Sequence, residues 1–316
     1  MRALSLQDSV VTFRESVQEP HRCEGDVFVD VILAGICETD LQLCKGYMGF
    51  SGTLGHEFVG VAREGRYAGQ RVVGEINCVC ERCEWCVNGL GNHCPFRTVL
   101  GILNRDGAFA DTLLIPERNL HRVPDSVSNE RAVFTEPLAA AIQISKQIDL
   151  VGKRVAVLGD GRLGILCAQA IRLSTDAIVV VGKHPEKLAR FQGLGFECCE
   201  LSQLDYRTSF DVVIDSTGSP TGLEVACGLV KPRGVVVLKT TVAGEHQLSL
   251  ASLVINEVTV VGSRCGPFDE ALSVLEADAI DLTGMVSHRF PLEQGVEAMR
   301  VAALPGSFKV LLDPQR

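Results

Sequence analysis

The sequence has no excess of basic residues. Thirty Lys and Arg stand against 39 Asp and Glu, for a net charge of −9. A nucleic-acid partner therefore lacks its usual electrostatic footprint. The acidic field repels anions in general, although a local basic pocket could still hold a phosphate. No apolar run approaches the ~18 residues needed to cross a bilayer, so no membrane partner is expected. Met1 to Pro20 lacks the charged-then-apolar pattern of a signal peptide, and a cytoplasmic protein is expected from that. There is no internal repeat and no low-complexity linker. What is there is 46% hydrophobic residues over 316 positions, ample for buried cores and more than one typical domain.

Thirteen cysteines call for an explanation. Disulfides are disfavoured in a reducing compartment, so metal ligation is the better account wherever the spacing agrees. It agrees at Cys80, Cys83, Cys86 and Cys94, which read C-x2-C-x2-C-x7-C. Thiolates hold zinc tetrahedrally, and short C-x2-C loops let neighbouring sulfurs face one ion. Gly89 and Gly91 supply turns before the last ligand. Four protein ligands leave no open position, so a zinc here is structural, and its binding contributes on the order of 10 kcal/mol of local folding free energy. Cys78, just before the lobe, fits the spacing less well and is read as non-ligating. Cys167, Cys198, Cys199, Cys227 and Cys265 have no ligand spacing and read as packing residues.

Two textures follow one another along the chain. From Met1 to about Thr135, short β-rich runs such as Val27–Leu33, Phe58–Ala62 and Arg71–Val73 are broken by Gly, Pro and charged turns, the mark of an irregular, mostly β domain. From about Leu150, strand and helix alternate. Val155–Leu158, Ile178–Val181, Val212–Asp215 and Val235–Leu238 read as strands. Arg162–Leu173, Pro185–Leu194 and Leu223–Val230 read as the helices between them. That alternation predicts a parallel sheet covered on both faces. The junction Pro137–Leu150 reads as a connecting helix, and the tail as a short helix, Glu293–Ala302, followed by a strand, Lys309–Leu312.

After the strand Val155–Leu158 comes Gly159-Asp-Gly161-Arg162-Leu163-Gly164, a G-x-G-x-x-G loop opening a helix. In that context Gly159 makes the tight turn, Gly161 lets backbone approach a pyrophosphate and Gly164 lets helix pack on strand, with the helix N-terminus facing the phosphates. A dinucleotide cofactor is expected. An NAD site places Asp or Glu at the end of the second strand to accept from the ribose 2′-hydroxyl. Here Gly182, Lys183 and His184 follow that strand, Asp176 precedes it and Glu186 lies beyond it. The expectation is therefore NADP over NAD, with Lys183 and His184 against the 2′-phosphate. The alternative is a solvated turn and a cofactor-tolerant protein.

Cys37 stands in Gly-Ile-Cys-Glu-Thr-Asp and His56–Glu57 in Gly-His-Glu-Phe-Val-Gly. Each is uninformative alone. Taken in order with the four-cysteine lobe and the glycine loop, and with Asp106-Gly-Ala-Phe-Ala and the tail from Phe290-Pro-Leu to Lys309-Val, the chain resembles the zinc-dependent medium-chain dehydrogenase/reductase family of alcohol, polyol and sugar dehydrogenases. The resemblance spans essentially the whole length. It implies an α/β protein: an irregular β-rich, GroES-like catalytic domain (1–137 and 287–316) and a Rossmann doubly wound parallel-sheet cofactor domain (138–286). It implies zinc at two places, one structural and one catalytic, with Cys37 and His56 as catalytic ligands. No cysteine lies between Cys94 and Cys167 to complete the set. Glu136, in Thr-Glu-Pro-Leu, matches the carboxylate of the polyol and sugar branch and is expected to ligate at rest. Glu57 is the rival, as a ligand or as an adjacent carboxylate.

The resemblance makes Thr39 the hydroxyl that takes the substrate proton and Asp40 a support of the zinc surroundings. Gln42 stands where some members carry the last histidine of the proton relay, and glutamine cannot titrate. The function implied is hydride transfer between an alcohol and NADP, or NAD, in a homo-oligomer, dimer or tetramer. Two alternatives remain open: a reductase working mainly on aldehydes and ketones, and a zinc-stabilised dinucleotide sensor without turnover.

Overall fold

A computed structural model describes residues 1–204, 209–239, 241 and 249–316. The chain divides into two compact units, Met1–Glu136 with Phe268–Arg316, and Pro137–Pro267. The chain returns to the first unit at Phe268, earlier than the expected 287. The reason is the helix Phe268–Glu276, whose Phe268, Leu272 and Leu275 are buried. Arg131 donates to the carbonyls of Leu275 (3.2 Å) and Ile280 (3.4 Å). The junction helix runs Thr135–Gln147.

In the first unit the main sheet orders Leu120–Arg122, Arg71–Gly74, Glu57–Ala62, Asp26–Ile36, Lys309–Asp313 and Val286–Pro291, with Thr112–Pro116 also paired to Asp26–Ile36. Asp26–Ile36 has no exposed residue, because neighbours cover both its faces. Its pairing with Glu57–Ala62 sets Gly35 opposite Glu57. Lys309–Asp313 is buried throughout and enters beside Ile36, Gly35 and Ala34. Its pairing with Val286–Pro291 is parallel, which needs a crossover, and the helix Gly295–Ala302 supplies it.

The second unit holds a six-stranded sheet, ordered Glu197–Glu200, Ile178–Gly182, Val155–Leu158, Phe210–Asp215, Val230–Leu238 and Thr259–Gly262. Every pairing is parallel. In order along the chain this is 3-2-1-4-5-6, the doubly wound arrangement. The strand Val155–Leu158 is buried at every position, as a central parallel strand covered on both faces must be. The strand order reverses at its carboxyl end, where ligands of open α/β sheets bind, and the glycine loop begins there.

Candidate active site

Four sulfurs converge on the lobe at residues 80–94. Cys83 and Cys86 lie 3.5 Å apart, Cys94 and Cys80 3.5 Å, Cys83 and Cys94 3.7 Å, and Cys80 and Cys86 4.0 Å. Thiolates set tetrahedrally at about 2.3 Å from a zinc stand about 3.8 Å from one another, so the lobe is shaped for that ion. These separations are far beyond the ~2.05 Å of a disulfide. The backbone N–H groups of Arg82 and then Cys83 draw the Cys80 thiol down to about 6. Cys78 stays outside the group. It is buried, with its sulfur 3.8 Å from Asn119 Nδ2, and burial pushes its thiol up to about 11. Cys167 and Cys227 are buried as packing residues, and Cys198, Cys199 and Cys265 half-buried.

A second group brings together Cys37, His56 and Glu57, whose ligand atoms all lie within 4.8 Å of one another. One carboxylate organises it. Asp40, fully buried, accepts from the Cys37 amide at 2.9 Å and from the Gly55 amide at 3.3 Å. It thereby fixes the residue before the helix Glu38–Leu43 and the residue before His56. His56 Nδ1 faces Asp40 Oδ1 at 3.3 Å without meeting the geometry of a hydrogen bond. With Nδ1 turned to a carboxylate, Nε2 is the nitrogen left for a metal. Burial lowers the His56 pKa, but Asp40 and then Cys37 more than offset it and the net shift is upward.

Gly107–Phe109 brace the entry to His56 from behind. Ala108 and Phe109 donate to the carbonyls of Gly55 and Leu54, each at 2.8 Å. Gly55 adopts φ +97°, and a Cβ there would run into the Phe109 ring, so only glycine fits. This is the structural use of Asp106-Gly-Ala-Phe: Asp106 Oδ1 also accepts from the Thr53 amide at 2.7 Å.

Glu57 is completely buried, and Lys309 Nζ donates to its Oε2. Gly35 makes room for it, since a Cβ there would lie 2.6 Å from that oxygen. Glu57 Oε1 has no hydrogen-bond partner. A buried carboxylate oxygen left bare beside a thiol and an imidazole needs a cation. The donor set of sulfur, nitrogen and oxygen suits zinc. Glu136 is not among the converging side chains. It lies half-buried in the first turn of the helix Thr135–Gln147, outside the group whose ligand atoms converge. Thr39 Oγ1 is 3.9 Å from Cys37 Sγ, whereas Gln42 turns to Glu38 at 2.8 Å. Lys309 has no local sequence signal, because its partner is 252 positions away.

Asn in place of Asp40 is expected to weaken metal retention at this group by about 10–100-fold, because the residue positions a ligand without being one. Zinc release to a chelator measures it. Release at the unmodified rate would reduce Asp40 to a packing residue.

In the second unit, Gly159 has φ +123° and a Cβ on it would lie 2.8 Å from the Ser216 carbonyl. A Cβ on Gly164 would strike the Gly159 carbonyl, while Gly161 faces open space where a phosphate can come close to backbone. Arg162 and Leu163 start the helix Arg162–Arg172 immediately after. The loop thus fits a dinucleotide. The strand end differs from expectation. Asp160, 7% exposed, turns its carboxylate onto Gly182. Its Oδ2 accepts from the amides of Lys183 (2.7 Å) and His184 (2.9 Å), and His184 Nδ1 approaches both oxygens at 2.9 and 3.1 Å. A carboxylate therefore does stand at the end of the second strand, delivered from the glycine loop, 22 positions before Gly182 in the chain. Sequence order hid it, because only the pairing of Val155–Leu158 with Ile178–Val181 brings the two ends together.

Residues 23–125 match the alcohol dehydrogenase GroES-like domain and residues 161–277 the zinc-binding dehydrogenase domain. L-threonine 3-dehydrogenase of Streptomyces coelicolor is 30% identical, with 94% of each chain covered. Sorbitol dehydrogenase of Halalkalibacterium halodurans is 28% identical, again with 94% of each covered. A zinc-binding dehydrogenase of Sinorhizobium meliloti 1021, solved with NADP bound, superposes with a TM-score of 0.88 at 27% identity and covers 99% of both chains. With both domain descriptions matched in order and a relative at 30% identity along 94% of its length, the chain belongs to the zinc-dependent medium-chain dehydrogenase family.

Proposed function

We propose that this protein transfers hydride between a hydroxyl-bearing substrate and a nicotinamide dinucleotide, with one zinc at Cys37, His56 and Glu57 and a second at Cys80, Cys83, Cys86 and Cys94. The bare Glu57 Oε1 beside Cys37 and His56 carries the reading. When bound, the zinc supplies Lewis acidity toward an alcohol oxygen and the nicotinamide supplies the hydride acceptor. The chain's own part is to hold and to move protons. Asp40 sets the height and angle of Cys37 and His56. Lys309 neutralises one oxygen of Glu57, leaving the other as the donor. Thr39, next to Cys37, takes the substrate hydroxyl proton and gives it to water, since Gln42 cannot. Glu136 stands apart in this reading.

Relatives named for L-threonine and sorbitol favour a polar, polyol-like alcohol. The reverse reaction, carbonyl reduction, uses the same residues. A sensor without turnover is disfavoured by the presence of Cys37, Thr39 and His56 together. For the cofactor we favour NAD(H), departing from the sequence expectation of NADP(H), because of the Asp160 carboxylate; the NADP of the Sinorhizobium relative argues the other way.

Among the described residues no helix is long and apolar enough to cross a membrane. A cytoplasmic homo-oligomer, dimer or tetramer, belongs to the same proposal. Its support is the sheet-edge strand Thr259–Gly262 beside the helix Ala251–Ile255, on which Val254 and Ile255 are 76% and 77% exposed.

The test is one preparation measured three ways. Metal analysis should return two zincs per chain, light scattering a mass above one chain, and a panel of sugars, polyols and simple alcohols should produce reduced nicotinamide. Dinucleotide binding with no turnover on any of them would favour the sensor, one zinc would remove half the proposal, and a monomer would remove the assembly.

A further inference from the structure

We infer that Asp160 selects the cofactor: its carboxylate fills, from within the chain, an anion cradle that would otherwise take the 2′-phosphate of NADP(H), and it offers an acceptor to the 2′-hydroxyl of NAD(H). The inference rests on the reading of Gly159–Gly164 as a dinucleotide loop.

The cradle is built at the turn between the strand Ile178–Gly182 and the helix Pro185–Gly193. Two successive amides, Lys183 and His184, point at one oxygen. The His184 ring reaches both oxygens, and Lys187 Nζ stands 3.9 Å from Oδ1. Successive backbone N–H groups with flanking cations form a concavity suited to an anion, and a phosphate fits such a place as well as a carboxylate. Lys183 is exposed on the rim.

The occupant is fixed by an exchange of residues. A Cβ at Gly182 would lie 2.6 Å from Asp160 Oδ2, 2.7 Å from Asp160 Cβ and 2.9 Å from Leu188 Cδ2. The glycine at the strand end and the aspartate in the loop are thus parts of one arrangement, in which the space a strand-end side chain would use has been given to Asp160. Burial alone would raise the Asp160 pKa, but the His184 amide and ring and the Lys183 amide outweigh it, and the net shift is downward. The group is therefore anionic at neutral pH. A 2′-phosphate entering here meets a like charge that already holds the donors it needs. A 2′-hydroxyl meets a carboxylate whose Oδ1, hydrogen-bonded among the described residues by the His184 ring alone, still has a lone pair to offer.

A second role would explain the same contacts, that of a staple that merely fixes the turn. The two are separable, because a staple affects stability without altering the relative affinity for the two cofactors. Binding of NADH and NADPH to the zinc-loaded protein can be followed by nicotinamide fluorescence. The adenosine end can be isolated by calorimetry with 5′-AMP and 2′,5′-ADP. The unmodified protein should bind NADH and 5′-AMP the more tightly. In Asp160→Ser the preference should move toward NADPH and 2′,5′-ADP by about 10–100-fold, the worth of a charge-assisted hydrogen bond. Asp160→Asn, which keeps the volume and one acceptor, should move it the same way if the serine variant does not fold. A ratio unchanged within about threefold in a folded variant overturns the inference, and so does an unmodified protein that prefers NADPH. Failure to bind any of the four ligands would instead overturn the dinucleotide reading beneath it.

Discussion

Cys94→Ser is expected to lose one of two zincs and to lower the melting temperature, while the Cys37 group keeps its metal. Cys94 is the one completely buried sulfur of its four, so a serine hydroxyl there leaves three thiolates around an ion they cannot enclose. Structural zinc is worth roughly 10 kcal/mol or more to a small lobe. If only about 3 kcal/mol of that reaches global stability, the melting temperature falls by about 6–12 °C. Elemental analysis and a thermal scan on the same sample check both halves. A variant retaining two zincs, or melting where the unmodified protein melts, would sink the structural assignment.

The second large effect concerns the open group. Cys37→Ser should release the other zinc and lower turnover by at least about 100-fold with the melting temperature little changed. The carboxylates can then be told apart. Glu57→Ala by itself strands Lys309 in a buried position, which costs about 3–5 kcal/mol and confuses a metal measurement with unfolding. The cleaner comparison is the double variant Glu57→Gln with Lys309→Met against Glu136→Ala. The double variant removes the ion pair as a unit and should lose zinc. Glu136→Ala should retain it. Zinc lost from Glu136→Ala and kept in the double variant would restore the order of carboxylates expected from the sequence.

What could be read from the chain alone was whatever is encoded locally. The four-cysteine lobe lies within 15 residues, and its spacing alone carries the ligand set. The glycine loop is equally local. The central strand Val155–Leu158 has the expected bounds because a strand buried on both faces is a continuous apolar run. The edge strand Glu197–Glu200 does not stand out, because Glu-Cys-Cys-Glu is polar at both ends and is made a strand by its pairing with Val179–Gly182. What favours Glu57 over Glu136 is a buried lysine opposite and a glycine making room, neither of which is visible from flanking residues. The acid that does stand at the end of the second strand, Asp160, belongs to the glycine loop of the strand before, and only the pairing of the two strands brings it there. A side chain's neighbours in sequence say little about what it will face across a sheet.

The Glu57–Lys309 pair has a consequence for synthesis. The lysine is 252 residues further along than the glutamate, and the whole of Pro137–Pro267 is translated between them. At ~5–20 residues per second, the ribosome takes roughly 10–50 s to cover that interval. Until then the strand Lys309–Asp313 cannot take its place beside Asp26–Ile36, and Glu57 has no lysine to meet. An emerging chain must leave that carboxylate in water or lend it another cation, and a metal ion, if held by Cys37 and His56 as proposed, would be the cation nearest to hand.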